Sequence, residues 1–193
     1  MDIFKKCYDF HVVEAIKDAG LYSYFRTISS AQDPVVDMDG HKVVMLGSNN
    51  YLGLTNHPEV KAAARQAIAK YGTGCAGSRF LNGTLDIHVE LEELLARFMN
   101  REAAVTFATG FQVNLGAISC LVERGDVVYL DKLDHACIID GARLGFGTSV
   151  KFNHNDMDDL AHRLELRDRA RSAMIVVDGV FSMEGDIVDL PRL

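Results

Sequence analysis

The sequence has little of what membrane-spanning and nucleic-acid-binding proteins are built from. Its longest apolar stretches, such as Met174–Val177, have the length of a β-strand, far too short to cross a bilayer. It has no block of lysine or arginine, and 20 basic against 27 acidic residues leave a net charge of −7, so no nucleic-acid partner is expected. The first residues are charged and amphipathic, unlike a signal peptide, which predicts a cytoplasmic protein.

Cysteine is also sparse. The four cysteines are Cys7, Cys75, Cys120 and Cys137, and they form no CxxC pair and have no histidine-rich segment beside them. This spacing disfavours a metal site. It predicts small, buried side chains in a reducing compartment.

What the sequence does contain is the composition of a folded globular protein. Of its 193 residues, 48% are hydrophobic and 24% are charged, which is enough to bury a sizeable core. Helical spacing of apolar residues predicts a helix over residues 1–20, and short β runs on either side of Asp39-Gly40 predict a hairpin. We expect residues 1–45 to form an amino-terminal helix-and-hairpin segment and residues 46–193 to form part of a larger domain.

Helices are predicted next from Pro58 and over about 85–99, and strands and helices then alternate to the end of the chain. The predicted strands are Ala103–Phe107, Val127–Leu130, Ser149–Phe152 and Ala173–Val177. Helices are predicted between them, at about 111–121, 136–144 and 157–167. Regular β-α-β alternation predicts an α/β fold with a largely parallel sheet. Because the chain ends shortly after a strand, we expect it to be part of a longer protein.

Two motifs follow predicted strands at their carboxyl ends. Thr109-Gly110 forms a tight turn before a helix, where free backbone N–H groups suit a phosphate. His135 follows the strand Val127–Leu130, at the edge where parallel sheets bind ligands, and could stack on a flat ligand or move protons. The alternatives are an ordinary strand–helix turn for the first motif and a helix cap or core histidine for the second.

A third polar cluster follows the strand Ala173–Val177. Its members are Asp178, Ser182, Glu184 and Asp186. A metal site is disfavoured there, because Glu184-Gly185-Asp186 equally suits a turn. A Ser-His-Asp triad is disfavoured because the GxSxG motif is missing. The other histidines, including His154, have no partner at ligand spacing and are interpreted as structural or solvated.

Six motifs in order carry a family resemblance. They are SNNYLGL, GTGCAGSRFLNGT, FATGFQVNLG, DHACIIDGARL, NHNDM and VVDGVFSMEGD. Together they resemble the α-oxoamine synthases, and most closely the bacterial serine palmitoyltransferase-like members. The resemblance implies the three-layer α/β/α fold of aspartate aminotransferase, with pyridoxal 5′-phosphate (PLP) as cofactor. It also implies a homodimer that condenses an amino acid (serine, glycine or alanine) with an acyl-CoA and releases CO₂.

The same resemblance assigns roles to individual residues. Gly110 and Phe111 match positions that bind the cofactor phosphate through backbone N–H groups, and Thr109 adds a hydroxyl. His135 matches the catalytic histidine that stacks on the pyridine ring and contacts the substrate. Ser182 matches a serine near the phenolic oxygen of the cofactor. Two substrate-side positions are matched by Arg26 and Asn49.

The resemblance also implies what the chain lacks. The family's cofactor-binding lysine and the aspartate paired with the pyridine nitrogen lie beyond residue 193, so the chain alone is expected to be inactive. The family strand order, 3-2-4-5-6-7-1, would leave Ala103–Phe107 separated from the other strands. Two alternatives stay open: an aminotransferase or lyase of the same fold, or a non-catalytic fragment or partner subunit.

Overall fold

A computed structural model describes residues 2–193, which divide into two compact units after Gly83. The first unit contains three helices and one hairpin: α1 (Lys5–Tyr8), α2 (Val12–Asp18), β1 (Val35–Met38), β2 (His41–Val44) and α3 (Pro58–Tyr71). The sequence predicted a boundary after residue 45, between an amino-terminal segment and the cofactor-binding domain. The compact units divide after Gly83 instead, but they do not report which residues bind a cofactor, so that boundary stays a prediction.

The hairpin and α3 are where the sequence predicts them. β1 and β2 pair antiparallel around Asp39 and Gly40, whose φ angles of 48° and 80° are those of a primed hairpin turn. α3 begins at Pro58, and the ring of His57 accepts a hydrogen bond from the Glu59 N–H at 3.3 Å.

The single helix predicted over residues 1–20 is wrong, because α1 and α2 are separated at Asp9–His11. Neither helix buries a residue. Short helices without a packed face are marginal in water, and nothing here holds one continuous helix together.

The second unit, Thr84–Leu193, contains the alternating part of the chain. Its elements are α4 (Asp86–Phe98), α5 (Gly110–Leu121), β3 (Val127–Asp131), α6 (Ala136–Leu144), β4 (Thr148–Phe152), α7 (Met157–Glu165), β5 (Ala173–Val176), β6 (Val180–Phe181) and β7 (Asp186–Ile187). The strands β4-β3-β5 form a parallel sheet in that order, which matches the 3-2-4 part of the expected order.

The predicted strand Ala103–Phe107 is wrong. It forms no ladder with any strand of residues 2–193. A strand exists only when another strand accepts and donates its backbone hydrogen bonds. This segment is instead held by a side chain of α4, because the Glu92 carboxylate accepts from the Thr106 N–H at 2.8 Å and from its hydroxyl at 2.9 Å.

The central strand β3 is buried along its whole length and divides the core into two layers. Val128 and Leu130 face one cluster, which is completed by Ile118, Val122, Cys137, Ile138 and Ala142 of the α5 and α6 side. Val127 and Tyr129 face the other, with Phe152, Met157, Leu160, Phe181 and Val188. This alternation confirms the α/β/α layering expected from the sequence.

The cysteine prediction holds for one residue. Cys137 is buried, whereas Cys7, Cys75 and Cys120 are exposed, and none of the four forms a disulfide among the described residues. Cys7 lies on α1 and Cys120 near the end of α5, where no core covers these side chains. No helix among residues 2–193 is long and apolar enough to cross a membrane.

Close packing of α5 against α6 depends on Gly141. A Cβ placed on this residue would lie 2.7 Å from the Asn114 carbonyl oxygen and 3.2 Å from Ile118. Backbone atoms cannot yield as a flexible side chain does, so the two helices approach this closely only because residue 141 is glycine.

We therefore expect Gly141→Ala to lower the free energy of unfolding by about 1–3 kcal/mol, the usual cost of overpacking. Denaturant titration of the protein measures this change. Gly179→Ala is the matched control, because a Cβ there meets no atom within 4 Å. Equal stability of the two variants would contradict the packing argument.

Candidate functional site

The start of α5 is an anion-binding geometry. Thr109 is the N-cap, and its hydroxyl accepts from the Gln112 N–H at 3.2 Å. The N–H groups of the first helical turn, including those of Gly110 and Phe111, have no partner within the helix. A Cβ built on Gly110 meets nothing within 4 Å, so a ligand has room to approach the backbone. The turn and the helix start predicted from the sequence are present, and phosphate binding there stays a prediction.

His135 lies beside this helix start, just beyond the carboxyl end of β3. It is exposed and is the N-cap of α6, where its Nδ1 accepts from the Cys137 N–H at 3.1 Å. Its ring meets the ring of Phe111 edge to face, with 6.5 Å between centroids. The structure therefore brings Thr109, Gly110, Phe111 and His135 together. The helix-cap alternative for His135 is correct, because its Nδ1 caps α6, and its stacking and proton-transfer roles stay predictions.

Two carboxylates fix the backbone of His135. Asp178 Oδ2 accepts from the His135 N–H at 2.7 Å, and Asp134 Oδ1 accepts from the Asp178 N–H at 3.0 Å. Asp134 Oδ2 accepts from the Asp131 N–H at 2.8 Å, which links β3 to the loop after β5. The Ser-His-Asp triad is absent from this arrangement, because Asp178 binds the backbone of His135 and not its ring.

A second network joins the ends of β3 and β4 to the β6–β7 hairpin. His154 contacts Asp131 Oδ1 through Nδ1 at 2.9 Å and Asp186 Oδ2 through Nε2 at 3.0 Å. Its ring packs edge to face on Phe181, with 4.5 Å between centroids. Asn155 donates its backbone N–H to Asp131 Oδ2 at 2.7 Å. Both ring nitrogens of His154 are therefore hydrogen-bonded, and these bonds hold the β6–β7 hairpin against the end of β3.

Two of these groups have displaced pKa values. Burial raises the pKa of Asp134 to about 7, against the lowering effect of the N–H groups of Asp178 and Asp131. Burial opposes a charge on His154, but its hydrogen bonds to Asp131 and Asp186 outweigh this and raise its pKa above 6.5. The edge of the sheet therefore holds protons more tightly when folded than when unfolded.

The remaining predicted residues are Ser182, Arg26 and Asn49. Ser182 is exposed at the turn between β6 and β7, next to the buried Phe181. In the first unit, Arg26 forms an ion pair with Asp39 of the hairpin turn, which holds the pKa of that carboxyl below its usual range. Asn49 is exposed in the segment that follows β2.

No group of three or more His, Cys, Asp or Glu side chains among residues 2–193 is placed to hold a metal ion. Sequence reasoning missed Asp131, Asp134 and the partners of His154. The signal available was position: Asp131 is the last residue of β3, and Asp134 lies in the loop that follows it, at the carboxyl edge of the parallel sheet.

Comparison with known proteins assigns the family. Residues 41–193 match the model described as aminotransferase class I and II, and the chain belongs to that family. Within it, curated relatives similar to this chain are α-oxoamine synthases, as the sequence motifs predicted. Serine palmitoyltransferase of Sphingobacterium spiritivorum is 57% identical over 95% of this chain, and 8-amino-7-oxononanoate synthase of Geobacter sulfurreducens is 46% identical over 94%.

Solved structures agree with this assignment. Serine palmitoyltransferase from S. paucimobilis, with a bound PLP–myriocin aldimine, superposes on 100% of this chain with a TM-score of 0.92 and 36% identity. The Sphingomonas wittichii serine palmitoyltransferase gives 0.91 and 38%. The expected fold is confirmed. The chain spans about half the length of these proteins, 46% of the S. spiritivorum enzyme and 49% of the S. paucimobilis structure.

The raised pKa of His154 predicts a pH-dependent contribution to stability. A folded pKa above the unfolded value of 6.5 gives stability that is complete below about pH 6.5 and is lost as the pH rises through the folded value. We expect His154→Gln to lower the free energy of unfolding by about 1 kcal/mol more at pH 6 than at pH 9.

Denaturant titration of parent and variant at several pH values tests this difference. Asp134 also titrates, but both proteins contain it, so its contribution largely cancels when the two free energies of unfolding are subtracted. His162→Gln is the control, an exposed histidine on α7. A pH-independent effect of His154→Gln would show that the two carboxylates do not stabilise the charged ring.

Proposed function

We propose that this chain carries the phosphate- and ring-binding part of a PLP-dependent acyltransferase. One observation carries the proposal: the capped helix start at Thr109–Phe111 and the ring of His135 meet at the carboxyl edge of the parallel sheet. Open α/β folds bind their ligands at this edge of the sheet. The relatives' names, serine palmitoyltransferase and 8-amino-7-oxononanoate synthase, support the reaction class.

The residues present suit PLP. Its dianionic phosphate matches the free N–H groups at the start of α5, where the helix dipole adds favourable potential. The open space at Gly110 admits an anion to the backbone. The exposed imidazole of His135 offers a flat face to a pyridine ring, and Phe111 lies edge-on to that imidazole. We assign the phosphate to Thr109, Gly110 and Phe111, and the ring to His135.

When bound, PLP supplies an electron sink for the negative charge that develops on the amino-acid α-carbon. His135 would cover one face of the ring and offer an N–H to the substrate carboxylate. We place Ser182 near the cofactor and Arg26 and Asn49 on the substrate side. Those three assignments are supported by the family motifs in which the residues stand.

The preferred substrates in this proposal are L-serine and palmitoyl-CoA: the name of the 57% identical relative, serine palmitoyltransferase, supports serine and a palmitoyl group, and the family motifs support an acyl-CoA as the donor. A bond forms between the serine α-carbon and the thioester carbonyl carbon, the CoA thiol leaves, and the serine carboxylate departs as CO₂. Glycine and alanine are the alternative amino acids. An aminotransferase or lyase reaction and a non-catalytic partner subunit are the outcomes that would replace this proposal.

We also propose that the protein acts as a homodimer. In the first unit, the loop after β2 exposes 91% of Leu46, and the segment after α3 exposes 91% of Phe80. Tyr51, Leu52 and Leu81 are also largely exposed. Apolar side chains presented in this number are typical of an interface. Light scattering of the full-length protein is expected to give twice the chain mass, and a fully active monomer would contradict this.

Substitution at Gly110 tests the phosphate site separately from protein stability. An aspartate at the first position of α5 is favourable to the helix, whereas its charge repels a phosphate at the same place. We expect Gly110→Asp to bind PLP on the order of 10–100-fold more weakly than the isosteric Gly110→Asn, with no loss of stability relative to it. Equilibrium dialysis with PLP gives the affinities, and equal affinity of the two variants would place the phosphate elsewhere.

His135→Phe tests the reaction. The substitution keeps a flat ring and removes the N–H, so PLP affinity is expected to fall by only about 1 kcal/mol. CoA release, followed with a thiol reagent, is expected to fall by ~10²–10⁴-fold with L-serine and palmitoyl-CoA.

His162→Phe on α7 is the control and should keep the parent rate. An unchanged rate for His135→Phe would remove His135 from the reaction. A full-length parent enzyme that transfers amino groups but releases no CoA with serine, glycine or alanine would establish the aminotransferase alternative instead.

A further inference from the structure

Cys137 has a buried thiol that is assigned neither to the cofactor nor to the substrate. It lies in the first turn of α6, and only 4% of the residue is exposed. Its Sγ lies 2.9 Å from His135 Nδ1 and 3.1 Å from the Asn114 side-chain nitrogen on α5. The thiol therefore connects α5 to the ring that the proposed site uses.

The contacts of His135 Nδ1 determine which ring nitrogen carries the proton. The Cys137 backbone N–H points at Nδ1 from 3.1 Å, and a backbone N–H can only donate. Nδ1 must therefore present its lone pair. A neutral imidazole has a single N–H, so that proton lies on Nε2, the nitrogen directed away from α6.

The Cys137 thiol lies between the Asn114 side chain and His135 Nδ1. The Asn114 amide nitrogen can only donate, so Sγ accepts from it. The S–H of Cys137 is then available to donate to Nδ1, 2.9 Å away, where it shares the single lone pair with the Cys137 backbone N–H in a three-centre hydrogen bond. The three groups form a chain of donors that runs from Asn114 through Cys137 to His135.

We propose that Asn114 and Cys137 are positioning residues that hold His135 in its Nε2–H tautomer and fix the plane of its ring. The N–H would then face the ligand, and this consequence rests on the proposed function. The tautomer itself is a property of the protein without any ligand, so it is tested independently.

The experiment is long-range ¹H–¹⁵N NMR of full-length protein labelled in histidine, without PLP or substrate. At about pH 8.5 an ordinary histidine, with a pKa near 6.5, is neutral. Loss of signals in His135→Gln identifies the His135 resonances. The parent is expected to show protonated Nε2 and unprotonated Nδ1.

The variants separate the thiol from the backbone contact. Cys137→Ser keeps a donor and is expected to retain the parent pattern. Cys137→Ala leaves only the backbone N–H, and the tautomer ratio is expected to move about fivefold toward Nδ1–H, the effect of one ordinary hydrogen bond. Asn114→Leu should move the ratio in the same direction, and Cys120→Ala, an exposed cysteine on α5, should not change it.

Either of two results would overturn the proposal: a parent protein with the proton on Nδ1, or a Cys137→Ala variant with the parent ratio. If Cys137→Ala does not fold, the parent and Cys137→Ser spectra decide, and a changed tautomer in the serine variant counts against it. PLP titration of the same samples separates the two hypotheses. The predicted tautomer without PLP binding would reject the proposed function and leave the positioning role intact.

Discussion

The buried carboxylate of Asp131 is the constraint on which the edge of the sheet depends. Asp131 is 1% exposed, and its oxygens accept from the Leu133 N–H at 2.8 Å, the Asn155 N–H at 2.7 Å and His154 Nδ1 at 2.9 Å. A buried charge is tolerated only when such partners replace water. The loops after β3 and β4 must therefore keep the conformation that supplies them.

Hydrogen bonds of Asp134 connect the end of β3 to the backbone of His135 through Asp178. Asp134 binds the backbone N–H groups of Asp131 and Asp178, and Asp178 binds the N–H of His135. The position of the imidazole is therefore set by carboxylates that do not touch its ring. Such an arrangement leaves both ring nitrogens available, one for capping α6 and one for a ligand.

Packing of α5 on α6 places the start of α5 beside that imidazole. Both helices follow the same face of β3, and Gly141 allows their backbones to approach. Their first turns consequently lie at the same edge of the sheet, which is where Phe111 meets His135. The proposed cofactor site depends on this pairing of a helix start with a flat side chain, and the chain has the fold of the class I and II aminotransferase family.

The sequence by itself determined much of the local structure. Periodicity and turn residues predicted the α/β class, the hairpin at Asp39-Gly40 and a helix that starts next to the Thr109-Gly110 turn, because these depend on neighbours in the chain. Tertiary structure alone decided the rest. The ladder that Ala103–Phe107 would need is non-local, and the partners of His154, Asp131 and Asp186, lie 23 and 32 residues away. No local pattern encodes contacts at that separation, since they exist only once the parallel strands align their carboxyl ends.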